Sequence, residues 1–442
     1  MATAYISRTF GTPTDEDKWT LSFWYKKCGP TSGVRVLDAD GGGNEGNISF
    51  DATTGKLNFY QYQSSLDTQL ITSNYYRDVG AFYHVVVIFD AANGTPADRA
   101  QIWVNGARVT TLGTATYPTT LYSQINKSGV VHYIGAKGST GDKYCDGVFS
   151  HMNFVDGSAL APSYFGEADA TSGIWKIKIN PDVTYGNNGF FLKFEDRTNL
   201  DLDSSPNAHT FTTTGTITPT YDNPSNNFCT LNPLGSDLAG GSLTLGNNYV
   251  QFASDSTYRS IYATLGNSTG KYYFEGYVQD DGNATNIGII DTEQNTGSNQ
   301  DYTAQTRGYS YNEDGQKYNN GSGSSYGDTY ASTNIIGCAV DLTNGAIWFS
   351  KNGTWQNSAT IAEIGAGTTT NAAFTGLTLG ERYLYGPAIS GKTNAKWKMN
   401  FGNGYFADTA ISSEGTNASG IGSFEYDVPT GFTAWSTKGF NE

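Results

Sequence analysis

Charge is scarce in this sequence. Of 442 residues only 15% are Asp, Glu, Lys or Arg, and 26 basic against 41 acidic side chains leave a formal net charge of −15. A surface of that sign repels phosphate backbones and no basic cluster offsets it, so nucleic acid is not an expected partner. Histidine (4), cysteine (4) and methionine (3) are also rare. His84, His132, His151 and His209 form no His-x-x-x-His pair, which leaves zinc without support. Cys28, Cys145, Cys229 and Cys338 are far apart and in no metal-ligand spacing. Cys338 sits in the apolar run Ile335-Ile336-Gly337-Cys338-Ala339-Val340 and reads as a buried free thiol; no disulfide pairing is assigned. No apolar run approaches the length of a membrane span, so membrane insertion is not expected. Met1-Ala2-Thr3-Ala4-Tyr5 has neither a basic nor an apolar leader segment, so no signal peptide is expected and the chain is read as made in a cytosol. Heptads are missing, which excludes a coiled coil as the source of any oligomer.

What is present is aromatic and glycine-rich: 30 Tyr, 23 Phe, 8 Trp and 54 Gly. Chains of this kind read as strands joined by tight turns, so the expected class is all-β, with two tandem antiparallel β-sandwich (jelly-roll) domains. Trp19, Leu21, Phe23 and Tyr25 alternate with polar neighbours and share one face of a strand. Val85-Val86-Val87-Ile88-Phe89 is a continuous apolar run, as a central strand would be. Ile102-Trp103-Val104 turns at Asn105-Gly106, and Ile347-Trp348-Phe349 lies between turns at Asn344-Gly345 and Asn352-Gly353. Asn-Gly between apolar runs is a strong hairpin signal, because both central residues of a type I′ turn need positive φ.

Half of the 12 prolines fall between about 160 and 240. Residues 1–180 are therefore read as one sandwich and 181–238 as a proline-rich connecting block whose strand Gly189 to Phe194 returns to the first sandwich. Residues 239–442 form the second, with the boundary placed near Pro233 to Gly241. The Gly/Ser/Tyr/Asn-rich stretch Asn312 to Tyr330 reads as a long loop.

Several short motifs mislead. Gly386-Pro387-Ala388-Ile389-Ser390-Gly391-Lys392-Thr393 fits a phosphate-loop pattern, but the strand-like Trp397 to Phe401 follows where a helix is required. Gly41 to Gly46 contains G-x-G-x-x-G before a strand and reads as a turn. Gly266-Asn267-Ser268-Thr269-Gly270 mimics a nucleophile elbow with a strand after it. Glycan cleavage needs paired carboxylates, and no Glu-x-Asp-x-Glu occurs, so no catalytic residues are assigned. Asp38-Ala39-Asp40 and Asp201-Leu202-Asp203 are the nearest pairs; Asp38 and Asp40 are the candidate ligands should calcium bind, against an ordinary turn role. Exposed aromatics are the remaining chemistry, since sugar rings lie on Tyr and Trp faces. Trp24 and Trp355 fall outside the inward alternation, and Tyr311, Tyr318, Tyr326 and Tyr330 lie in or beside the presumed loop. The binding candidates are Tyr311, Tyr318, Tyr326, Tyr330 and Trp355.

Longer patterns carry resemblances. Gly270-Lys271-Tyr272-Tyr273-Phe274-Glu275, Ile287-Gly288-Ile289, Gly308-Tyr309, Ile336 to Asp341, Ile347 to Trp355, Tyr385 to Ile389 and Asn400-Phe401-Gly402 together resemble a SPRY domain over roughly 240–410. That implies a twisted sandwich that binds partners through loops at one end, without catalysis. Tyr83 to Val87, Ile102 to Gly106 and Gly147-Val148 through Leu160 are similar to a laminin-G or concanavalin-A-like lectin sandwich. Phe165-Gly166-Glu167, Asn188 to Leu192, Asp203-Ser204-Ser205 and Asn226 to Leu234 resemble a block in structural proteins of tailed, aquatic bacteriophages. This last resemblance implies a virion surface protein made in the host cytoplasm, a fibre or appendage component among other virion proteins. It would bind host-surface glycans or a receptor, as a homo-oligomer for which a trimer is the usual fibre form. The alternative is a decoration or cement protein of capsid or tail that binds no receptor.

Overall fold

The computed structural model describes residues 3–29, 33–138, 143–234, 238–282, 284–294 and 301–441. With 41% strand and 4% helix the chain is all-β, as expected. It divides into two compact units, 1–219 with 223–225, and 220–222 with 226–442. The proline-rich stretch 181–238 is thus shared between the units, and of the boundary region expected at 233–241, residues 235–237 lie outside the described residues.

In the first unit an eight-stranded antiparallel sheet runs in the order Leu112–Thr116, Ser65–Thr72, Leu57–Gln63, Asn44–Phe50, Val34–Gly41, Val131–Ile134, Tyr5–Thr9, Thr212–Thr214. It faces a six-stranded sheet ordered Phe190–Leu192, Gly147–Asp156, Lys18–Lys27, Tyr83–Asp90, Ala100–Val104, Ala107–Arg108. Alternation fixes which side is core: Trp19, Leu21, Phe23 and Tyr25 are buried between the sheets with Ile48, Phe50, Leu57, Phe59 and Leu70. The strand Phe190–Leu192 pairs back onto Met152 to Phe154, as its sequence suggested. The outer face of the six-stranded sheet is apolar as well, and Phe165, Tyr185 and Phe191 cover it over Val86, Ile88 and Val155. This explains why Val85 to Phe89 is a continuous apolar run: both its faces are buried. Asn105 and Gly106 take φ of 48° and 78°, the type I′ geometry that the dipeptide calls for.

The second unit has the same plan. A nine-stranded sheet centres on Lys271–Asp280, flanked by Lys396–Asn400 and Ile335–Asp341, and packs on a six-stranded sheet around Thr285–Asp291 and Tyr385–Gly391. Its core joins Phe274, Val278, Ile287, Ile289, Val340, Ile347 and Trp397. The C-terminal stretch closes the outer side of the nine-stranded sheet, laying Phe424, Val428 and Phe432 over Tyr273, Ala339 and Trp348. Glu275 lies in that layer, fully buried. Its carboxylate accepts from Tyr273 Oη (3.0 Å), Asn400 Nδ2 (3.4 Å) and the backbone N–H groups of Glu425 (2.9 Å) and Tyr426 (3.0 Å). Burial pushes its pKa up to about 7, against the pull of those donors.

Candidate functional site

The aromatic surface expected around residues 311–330 does not exist as such. The stretch read as a loop forms an edge hairpin, Gln316–Asn319 and Ser322–Ser325, with Asn320 and Gly321 at φ 50° and 70°. Its strands are polar and show no hydrophobic alternation, although the turn between them carries the same Asn-Gly pair as the other hairpins. Tyr311 lies in Gly308–Asn312 on the inward side, opposite Ile287, and is fully buried. Tyr326 and Tyr330 turn back into the same core, with ring centroids 5.6 and 5.2 Å from Tyr311. Their hydroxyls are satisfied internally: Tyr330 donates to the carbonyls of Thr285 (3.1 Å) and Tyr311 (3.0 Å), and Tyr326 accepts from the Phe349 N–H (3.1 Å). Tyr318 is half-exposed and bonds Asp314 (3.2 Å). Trp355 is half-buried beside Tyr273. Trp24 is not an exposed ring either. It is 4% exposed and stacks on His84 at 4.7 Å.

The acid pairs are likewise occupied. Asp203 accepts from the N–H groups of Phe191, Ser205 and His209 and from Ser205 Oγ, so it pins a loop. Asp38 and Asp40 do converge, both near Gly138. Asp38 is fully buried, takes the Gly138 N–H on Oδ2 (2.9 Å) and has Arg35 Nη1 3.6 Å from Oδ1. A guanidinium there already supplies the positive charge that a calcium ion would bring, and no group of three or more His, Cys, Asp or Glu among the described residues is arranged for a metal. Asp38 is thus already paired with Arg35, and Asp40 stands exposed beside it. Burial pushes the Asp38 pKa up to about 6, with Arg35 pulling the other way.

What the fold assembles instead is a band on the outward face of the eight-stranded sheet. Pairing aligns Ser7, Tyr133, Asp38, Asn47, Tyr60 and Gln69 in one cross-strand row, and Val131, Asp40, Glu45 and Tyr62 in the next. Tyr60, Tyr62 and Tyr133 are half-exposed. The Tyr60 and Tyr62 rings stack with centroids 6.5 Å apart, and Tyr5 meets Tyr133 edge-on at 5.6 Å. Between them runs a hydrogen-bonded polar floor. Arg35 Nη2 donates to Glu45 Oε1 (2.6 Å), Asn47 Nδ2 donates to the same oxygen (3.0 Å), and Ser49 Oγ donates to Asn47 Oδ1 (3.1 Å). Half-exposed rings beside polar groups are the parts from which sugar sites are built; the floor itself is internally paired, and Asn47 within it is buried.

Residues 271–404 match the family model of the SPRY domain. The second unit carries a SPRY domain. Residues 2–163 match the concanavalin A-like lectin/glucanases superfamily, so the first unit carries a lectin-like domain. Among curated relatives, the ATP-dependent RNA helicase Ddx1 of Drosophila melanogaster is 36% identical over 84 residues, 19% of this chain and 11% of the relative. The Drosophila melanogaster Ran-binding proteins 9/10 homolog is 31% identical over 106 residues, 23% of this chain and 11% of the relative. The chain therefore spans about a tenth of the length of either relative. The crystal structure of the SPRY domain of human HERC1 aligns at 18% identity with a TM-score of 0.29, over 37% of this chain and 96% of that one.

Within the lectin-like domain, the tyrosine band had a signal in the sequence. Leu57-Asn58-Phe59-Tyr60-Gln61-Tyr62 alternates, and its inward members Leu57 and Phe59 leave Tyr60 and Tyr62 outside. Its partners across the sheet, from distant strands, were legible only once the register was known.

Proposed function

We propose that this protein is a surface component of a bacteriophage particle, in a fibre or appendage, that attaches to glycans of the host surface without catalysing a reaction. The observation that carries the glycan part is the set of half-exposed Tyr60, Tyr62 and Tyr133 on the outward face of the lectin-like domain, above the buried Asn47 and Asp38. The phage part rests on the resemblance of the block from Phe165 to Leu234, and with it go a virion-surface location, virion partners, assembly as a homo-oligomer such as a trimer, and synthesis in the host cytoplasm. The absence of catalysis is supported by the fate of the buried acids: Asp156, Asp203 and Glu275 are engaged by backbone amides, an anchoring role. Shallow sites suit such an adhesin. A millimolar site is worth about 4 kcal/mol, and linking copies raises avidity by roughly 10² or more.

Glycan-array binding by the purified chain, together with blocking of phage adsorption, tests the proposal. Binding with competition supports it. No binding, no competition and a tight lattice position in the particle establish a decoration protein instead, and release of oligosaccharide from host envelopes establishes an enzyme.

A further inference from the structure

The tyrosine band does not end at Tyr60. Along the strand Leu57–Gln63 the outward series continues through Asn58 to Lys56, which precedes the strand and is also half-exposed. There it meets a second loop. Tyr75, 56% exposed, has Lys56 Nζ 5.0 Å and Arg77 Cζ 4.8 Å from its ring centroid.

This corner is built rather than incidental. Tyr76, next to the exposed ring, is buried against Tyr83 (5.4 Å) and Phe50 (6.4 Å), and its N–H donates to the Gly55 carbonyl (3.1 Å). Arg77 Nε donates to the Thr54 carbonyl (3.1 Å). Gly55 adopts φ +72°, and a Cβ there would lie 3.1 Å from the Tyr76 carbonyl oxygen, so a glycine lets the two loops close on each other. The loops therefore hold Tyr75 outward by holding its neighbours inward.

Both cations are left without a counter-charge. Among the described residues Lys56 Nζ and the two terminal nitrogens of Arg77 make no hydrogen bond or ion pair. The nearby acids are turned to their own turns: Asp51 accepts from the N–H groups of Thr53 (3.1 Å) and Thr54 (2.8 Å) and from Thr54 Oγ1 (2.7 Å), and Asp78 accepts from the Gly80 N–H (2.8 Å). Stabilising an exposed ring by a cation needs one cation. Two beside one ring repel each other, and in a chain of net charge −15 the protein carries many acids that could have bridged them.

We propose that Lys56, Tyr75 and Arg77 form a subsite for the carboxylate of an acidic sugar, at the end of the glycan band. The planar carboxylate takes two parallel N–H bonds from the free side of the Arg77 fork, which its anchored Nε orients, and Lys56 adds a point charge. The distance along the strand from residue 56 to residue 60 is about 14 Å, so one oligosaccharide can reach both the carboxylate subsite and the tyrosine rings. This inference rests on the glycan-binding reading of that face and narrows its ligand class to uronic or sialic acids.

Calorimetric titration of the full chain with hexagalacturonate, sialyllactose, a neutral galactose oligomer and dextran sulfate tests it. At least one carboxylated probe binds about tenfold or more tighter than the neutral oligomer, and K56A/R77A abolishes that advantage while losing little Tm, the one hydrogen bond removed being that of Arg77 Nε to the Thr54 carbonyl. Which of the two carboxylated probes binds identifies the sugar. R77K loses most of the advantage, because an ammonium keeps the charge and lacks the fork. Equal binding of charged and neutral oligomers, or an unaltered K56A/R77A, overturns the subsite while leaving glycan binding intact. Dextran sulfate binding as tightly as the carboxylates, with R77K unaffected, overturns the carboxylate assignment. No binding of any probe, joined to a blank glycan array, overturns the glycan reading itself.

Discussion

The indole Nε1–H of Trp175 donates to Nδ1 of His84 at 2.9 Å. An indole N–H only donates, so Nδ1 is an acceptor and the ring proton sits on Nε2, which donates to Ser22 Oγ at 2.9 Å. His84 is fully buried and neutral, between Trp24 at 4.7 Å and Trp175 at 5.9 Å. Trp175 comes from the short hairpin Gly166–Ala168 with Trp175–Ile177, so this bond ties that hairpin to the strand Tyr83–Asp90 of the lectin-like domain. Trp175→Phe keeps a ring and removes the donor. The expected loss is about 1–3 kcal/mol in chemical denaturation, the penalty for a buried acceptor left unpaired.

Acidification destabilises the lectin-like domain. Burial pushes the pKa of His84 and of His132 down to about 3, and lowers that of His151. Their unfolded values stay near 6.5, so between pH 6.5 and about 3 the unfolded chain binds more protons, and stability present above pH 6.5 is lost as pH falls. Asp38 acts oppositely: its folded pKa of about 6 lies above the unfolded value, so its contribution is complete below pH 4 and lost as pH rises through 6. His209 is lowered by burial as well and Asp17 raised by it, and the histidines, two of them fully shifted, outweigh the two aspartates. At pH 5 each fully shifted histidine removes about 2 kcal/mol, and a scan of Tm against pH should fall steadily from pH 6.5 to 5.

Glu275 holds down the C-terminal stretch of the SPRY-containing unit. Its four partners are all donors, and Glu275→Ala leaves a cavity and takes the acceptor from Tyr273 Oη and the amides of Glu425 and Tyr426, while Asn400 Nδ2 keeps the Ser423 carbonyl. The expected loss is about 3 kcal/mol or more. Hydrogen exchange locates it: the amides of Glu425 and Tyr426 exchange first, while those of the strand Ile335–Asp341 keep their protection. Uniform loss of protection across the unit contradicts this account.

Tyr330 and Tyr60 separate structure from binding. Tyr330→Ala opens a core cavity and should lower stability by about 3–5 kcal/mol. Tyr60→Ala, at a half-exposed position, should leave Tm nearly unchanged and weaken binding of an array-selected glycan about tenfold. Titration of both variants with that glycan checks the contrast, and an unaltered affinity in Tyr60→Ala removes the tyrosine band from the site.

Local rules explain where the sequence was legible. Period-two alternation fixes which strand residues face a core, and Asn-Gly fixes hairpins through positive φ, so the all-β class and the turns at Asn105-Gly106 and Asn352-Gly353 follow from short windows. The same rule, applied to Asn320-Gly321, would have found the hairpin read as a loop. Its strands are polar because they lie at a sheet edge, where alternation of hydrophobicity fades.

The candidate site was not local. Three of the four tyrosines expected to be exposed are buried, because Tyr311 falls on the inward phase of its strand and Tyr326 and Tyr330 fold back over it, and both facts depend on which strands are partners; Tyr318 stays half-exposed. Conversely, Tyr60, Asn47, Asp38 and Tyr133 lie up to 95 residues apart in the chain and become one row only through register. By itself the sequence determined the strands, their turns and the resemblance to a SPRY domain and a lectin sandwich, since each is written in contiguous residues. The tertiary structure alone decided which aromatic rings remain at the surface and which polar groups stand beside them. A ring's exposure is set by the whole sheet and by what covers it, and neither is encoded in its neighbours along the chain.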